Sequence, residues 1–296
     1  MKTLKLVILS LVFSVSLFAQ SNNDSDPTGL PGDHFSLEGA LELFKKSTSP
    51  EDFEKQLNSK DNNVNNLDLN DDNDIDYVKV ISKMEDWIHI LILQVPVSDD
   101  ENQDIAVIEI EKSGTENAIL QIIGDEDIFG EEIIVEPSDA DDEVYDYNES
   151  ARSNSRSNVT VNVWAWPSVR YMYTPNYRPW VSPWRWSAYP YWWKPWRPLG
   201  WSVWHPLRIT HHRYGYRTVT THRIVHARSI YKPIRVTSTR VNTRYAGART
   251  TYRATRKTTK VTGPRGNSVT KKTTTVKGNK GTVKTSKKTK VKKKNE

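Results

Sequence analysis

The sequence predicts an α+β protein: a small N-terminal domain of two helices and an antiparallel meander, then an aromatic, proline-rich segment and a disordered basic tail. Three observations carry this. Apolar residues change from helical spacing to short Ile/Val-rich runs near residue 77. Ten of the eleven tryptophans fall between Trp164 and Trp204. The charge splits into halves: residues 20–150 carry 35 Asp+Glu against 7 Lys, and residues 151–296 carry 33 Lys+Arg against one Glu.

Residues 1–19 have the form of a secretory signal peptide. Lys2 and Lys5 precede an apolar run, Leu6 to Phe18, and Ala19 marks the cut. The run is shorter than the roughly 20 apolar residues a membrane-spanning helix needs. The expectation is an exported chain in the periplasm, on the outer-membrane surface or outside the cell, with no transmembrane helix after cleavage. Cysteine is absent, which excludes disulfides, a thiol nucleophile, Cys-ligated metals and a lipid anchor on an N-terminal Cys.

Residues 20–36 are polar with Pro and Gly and read as a linker. The acidic domain spans 37–137. In "SLEGALELFKKS", Leu37, Ala40, Leu41 and Phe44 share one helical face behind a Ser36 cap. In "SPEDFEKQLNS", Ser49 caps, Pro50 opens the helix, and Asp52 occupies the capping-box position. Five runs follow: "DYVKVISK", "WIHILILQVPV", "QDIAVIEIEK", "AILQIIG" and "EEIIVEP". Close spacing without helical crossovers predicts an antiparallel meander. In the third run Ala106, Ile108 and Ile110 lie on one face, Glu109 and Glu111 on the other.

Residues 138–158 are acidic, then Ser/Arg-rich, and mark a boundary. In the Trp/Pro/Arg-rich segment, 159–206, "NVTVNVWAWP" alternates like one strand. The rest has neither period, and its prolines block ladder and helix bonds. Exposed Trp rings interleaved with cations suit sugar faces, membrane interfaces and anionic groups. The candidate ligand-binding residues are Trp180, Trp184, Arg185, Trp186, Trp192, Trp193, Trp196 and Arg197. The alternative is that these rings pack on one another or on the acidic domain. Residues 207–296 form the basic low-complexity tail, whose low hydrophobicity and like charge predict disorder. His205, His211, His212, His222 and His226 are expected to have no carboxylate nearby to orient them, and the surrounding cations disfavour a metal.

One stretch has metal-site spacing: "DLNDDNDIDYV", beginning at Asp68. Asp68, Asn70 and Asp72 take positions one, three and five of a loop. Asp74 offers a backbone carbonyl at seven, and Asp76 takes nine. Asn73 falls at the sharp turn, where a positive φ is required. The spacing resembles the calcium loops of EF-hand and dockerin proteins, and more closely the FG-GAP-type repeat, in which the last Asp leads into a strand. Lys79 stands where an EF-hand carries its bidentate Glu, so the resemblance implies a single structural Ca²⁺ clip. Across its length the layout also resembles a type of exported Bacteroidetes protein, which implies no activity.

No G-x-S-x-G, H-E-x-x-H, P-loop or dinucleotide motif occurs. The expectation is a non-enzymatic envelope or extracellular binding protein. Its aromatic and basic half would hold anionic glycans, lipopolysaccharide or a membrane surface. Export argues against chromosomal nucleic acid as a partner. The alternative is structural self-association by pairing of acidic and basic halves. A hydrolase with an unreadable site ranks last.

Overall fold

The computed structural model describes residues 27–138, 160–210, 215–262, 268–277 and 283–292, with side chains described through 208 and over 215–252. The expected signal peptide at 1–19, residues 20–26 of the first expected linker and residues 139–158 of the second lie outside these residues. Helix α1 (Leu37–Lys46) starts on Ser36, whose side chain accepts the Gly39 amide, and α2 (Pro50–Leu57) starts on Ser49, which accepts the Asp52 amide. Both caps are those expected, because each hydroxyl satisfies a helix-end N–H.

The sheet is six-stranded and antiparallel. Its order is sequential: β1 (Lys79–Glu85), β2 (Ile88–Pro96), β3 (Asn102–Lys112), β4 (Ala118–Gly124), β5 (Ile133–Pro137) and β6 (Tyr216–Val219). A short helix, α3 (Glu126–Phe129), fills the turn before β5. The fold is therefore mixed α+β, with both helices and the meander.

Two apolar clusters flank the sheet. On one face Leu41, Phe44, Phe53 and Leu57 pack against Val80, Leu91, Leu93, Ile108 and Ile122. On the other, Ile90, Ile92, Val107, Ile123 and Ile134 pack against Ile224, Ala227 and Tyr231. Exposing those five sheet residues would cost about 2 kcal/mol each. The second face therefore needs a cover, and the chain beyond residue 160 supplies it.

Three expected boundaries change. Residues 30–36 are not linker: Leu30 and Phe35 are buried and flank a 3-10 turn at Pro31–His34. The described part of "NVTVNVWAWP", residues 160–167, is not a strand; Asn162 instead uses its side-chain carbonyl to accept the Ala118 and Trp164 amides. The tail from 207 is not structureless. After α4 (Pro167–Met172) in the aromatic segment, it contains α5 (Trp201–Thr210, begun in that segment), β6, α6 (Val225–Tyr231), α7 (Thr239–Arg244) and α8 (Ala246–Thr251). A second antiparallel sheet follows, β7 (Arg253–Thr262), β8 (Ser268–Lys277) and β9 (Val283–Lys292). Composition treats such a stretch as isolated. Here Tyr216, Ile224, Ala227, Tyr231 and Val241 find a ready-made apolar surface on the acidic domain.

Candidate functional site

The acidic domain buries carboxylates at a density that needs explanation, since an isolated buried charge is strongly disfavoured. Glu54, Asp104, Glu109, Asp125 and Glu136 are each at most 6% exposed. Each accepts hydrogen bonds from the chain beyond residue 160, so together they line a seam along which the C-terminal half docks.

Glu54 of α2 is the hub for the aromatic segment. From its own domain it accepts the Tyr77 hydroxyl (2.8 Å) and the Val80 amide (2.8 Å). From the segment it accepts Trp180 Nε1 (3.0 Å) and the Ser182 hydroxyl (2.9 Å). Burial pushes its pKa up, against these four donors. Beside it Val181 bridges Ile81. The Ser82 amide donates to the Trp180 carbonyl and the Ser182 amide to the Val80 carbonyl, which covers the open edge of β1. Further along, Asn66 holds both backbone groups of Leu199: its side-chain amide donates to the carbonyl and its side-chain carbonyl accepts the N–H.

The rest of the seam is ionic. Glu136 accepts Arg223 at 2.7 Å, Arg217 at 2.9 Å and Gln121 at 2.8 Å. Burial alone would raise its pKa, but these donors outweigh burial and hold it below the usual carboxylate range. Asp125 pairs with Arg235 at 2.6 Å, and Arg235 also reaches Asp127 at 2.7 Å. Asp104 accepts the Tyr231 hydroxyl and the Val236 amide, and burial pushes it up to about 6. Glu109 is hydrogen-bonded to His222. The expectation that no carboxylate orients the histidines is corrected here, because Glu109 lies 113 residues away in sequence and adjacent in space. His205 instead stacks on Trp201, with centroids 4.6 Å apart. His211 and His212 lie outside the described residues.

The aromatic candidates do not form one surface. Trp180 is tied to Glu54. Trp193 is 5% exposed and packs edge-on against Tyr77 and Tyr189, so it is a core residue rather than a ligand platform. Trp192 is 38% exposed, with the Lys55 ammonium 5.8 Å from its ring. Trp184, Trp186 and Trp196 are half-buried, and the Trp196 carbonyl accepts the Ile75 amide. Only Arg185 and Arg197, with Trp192, are presented openly.

The acidic loop is ordered by its own side chains. Asp68 accepts the Asp72 and Asn73 amides, Asn70 accepts the Asp72 amide, and Asp72 accepts the Asp74 amide. Asp71 and Asn73 take positive φ, 64° and 68°. Asp76 is buried and accepts the Leu69 amide. Its pKa is pushed well up by burial, and the charges of Asp68 and Asp72 add to that. The donors are all oxygens, as Ca²⁺ requires. Among the described residues no group of three or more His, Asp or Glu is arranged to hold a metal ion. The basic half touches this loop too: Arg244 lies 3.2 Å from Asp71, and the Tyr245 hydroxyl donates to the Asp68 carbonyl.

The chain matches no protein-family model, no curated protein and no solved structure at a significant level. Among the described residues no helix is long and apolar enough to cross a membrane.

Proposed function

We propose that the protein is an exported, non-enzymatic envelope or extracellular binding protein in which the last 44 residues, not the aromatic segment, hold an anionic polymer or membrane surface. The observation that carries this is where charge remains after the halves dock. Residues 27–138 carry 27 Asp+Glu and 7 Lys, and residues 160–252 carry 15 Lys+Arg and no acid. Together these segments carry 5 net negative charges, so docking leaves no basic excess on them. Residues 253–296 carry 16 Lys+Arg and one Glu. In the ladder of β8 and β9, Lys272 is the register partner of Lys288. Such a polycation is relieved by an anionic ligand, with affinity that falls as salt rises.

The test compares the full chain with one ended after Tyr252, for binding to lipopolysaccharide, peptidoglycan and anionic liposomes at about 0.05 M and about 0.5 M salt. The full chain is expected to bind at low salt, and the shortened chain to bind at least about tenfold more weakly with an unchanged circular dichroism spectrum. Equal binding by the shortened chain refutes the proposal. Self-association is the second reading, favoured by the same ion pairs, which would join two chains if exchanged between them. Concentration-dependent assembly dissolved by high salt would select it.

The Asp68–Asp76 loop is proposed to take one structural Ca²⁺, through Asp68, Asn70, Asp72 and Asp76 and the Asp74 main-chain carbonyl. The ion would offset the burial that raises Asp76 and the charges of Asp68 and Asp72 that add to it. Calorimetric titration of the full chain is expected to show a single Ca²⁺ site lost in Asp72→Ala. No heat, or heat unchanged in the variant, rejects it.

A further inference from the structure

Ten of the eleven tryptophans lie in the segment that docks on the acidic domain; the eleventh, Trp87, stands at the tip of the β1–β2 hairpin. Glu85 pairs with Ile88, so the turn between them is Asp86 and Trp87 alone. Such turns favour small residues such as Asn-Gly. Asp86 takes the positive φ, 52°, but the second position holds an indole that is 65% exposed, the most open tryptophan among the described residues. Among those residues it meets no other ring and makes no side-chain hydrogen bond.

The tip is nevertheless held in place. The Trp87 carbonyl accepts the Lys112 amide at 3.1 Å and the Tyr173 hydroxyl at 2.7 Å. Met84, 47% exposed, pairs with His89 and so shares its face. Tyr171, as exposed as Met84, reaches the same corner: its ring meets Tyr177 at 5.7 Å, and Tyr177 meets His89 at 5.4 Å.

The charges around the tip decide what fits it. Lys83, Glu85 and Asp86 are all exposed beside Met84 and Trp87. Burying the indole in a bilayer would carry two carboxylates with it, which is costly. The same carboxylates repel an anionic polymer. A second copy of the chain meeting this tip about a two-fold axis would set Glu85 and Asp86 against their own copies. A neutral sugar meets none of these objections. A β-linked glucose ring carries its hydroxyls equatorially, so its faces are C–H surfaces that lie flat on an indole, while its edge hydroxyls donate to carboxylates.

We propose that the Asp86–Trp87 turn binds a neutral β-linked glucose chain, with one ring face on the Trp87 indole and its hydroxyls on the flanking carboxylates. This site is separate from the basic tail and uses no anionic group of the ligand, so its affinity is indifferent to salt.

The test titrates the full chain with cellohexaose at about 0.05 M and about 0.5 M salt, with zwitterionic liposomes in a parallel arm. Cellohexaose is expected to bind equally at both salt concentrations. Trp87→Ala is expected to bind it at least about tenfold more weakly. Trp87→Tyr, which keeps a flat ring, is expected to stay within about threefold of the parent, and Trp192→Ala to match it. Each variant changes an exposed side chain and leaves the Trp87 carbonyl in place, so the circular dichroism spectrum is expected to be retained. No cellohexaose binding, or affinity unchanged in Trp87→Ala, overturns the proposal and leaves the reading of the basic tail standing. Liposome binding or self-association of the parent that is lost in Trp87→Ala also overturns it, by giving the tip another occupant.

Discussion

His89 shows how far single residues in this protein are committed to packing. It lies in β2, 1% exposed, with the Tyr173 ring edge-on at 4.5 Å and Tyr177 at 5.4 Å. Its Nδ1 has no hydrogen-bond partner among the described residues. Burial lowers its pKa to about 4 from 6.5. A base lowered in the folded state is protonated first in the unfolded chain. Stability is therefore lost as pH falls from about 6.5 toward about 4, by up to about 3 kcal/mol. Asp104, raised to about 6, works in the opposite direction over part of that range, so the effect is read as a difference between variant and parent. Urea unfolding at about pH 7 and about pH 4.5 is expected to show a smaller acid-side loss in His89→Phe than in the parent. An equal loss in both would mean that His89 is not the buried base described.

At the scale of elements, much was legible where the pattern is local. Both helix starts, the five Ile/Val runs and their sequential pairing follow from caps and period, because each depends on residues within a few positions. The sixth strand and the covering helices were not legible, because their signals are weak and their partners distant. Tyr216–Val219 joins the sheet beside Ile134–Pro137 across some eighty residues. One clue was present. β2 is apolar on both faces, with Ile88, Ile90 and Ile92 on the side away from the helices. A strand apolar on both faces requires cover on both. Glu109 and Glu111 on the neighbouring run suggested a solvated face, yet Glu109 is buried under His222. The aromatic segment misled for a related reason. Its prolines exclude a ladder, but not single bridges such as Val181 to Ile81 or side-chain anchoring to Glu54.

At the scale of the whole molecule, the charge separation visible in the sequence is largely an internal complementarity. Residues 160–252 lie along the acidic domain, with Arg217, Arg223 and Arg235 on carboxylates that would otherwise be buried and unpaired. The turn at Asp68–Asp76, with Asn73 at positive φ, was legible for the same reason as the helices, since its hydrogen bonds are local. The seam was not, because its partners come from both halves of the chain. The account rests on that docking, and amide hydrogen exchange of the full chain tests it most directly. The amides of Ser82, Ser182, Val236 and Ser238 donate only across the seam, to Trp180, Val80, Asp104 and Gln103. They are expected to be protected to nearly the same degree as the amides of β2 and β3, because they open only when the halves separate. Exchange of these four amides at unprotected rates, while β2 and β3 remain protected, would contradict the docked arrangement.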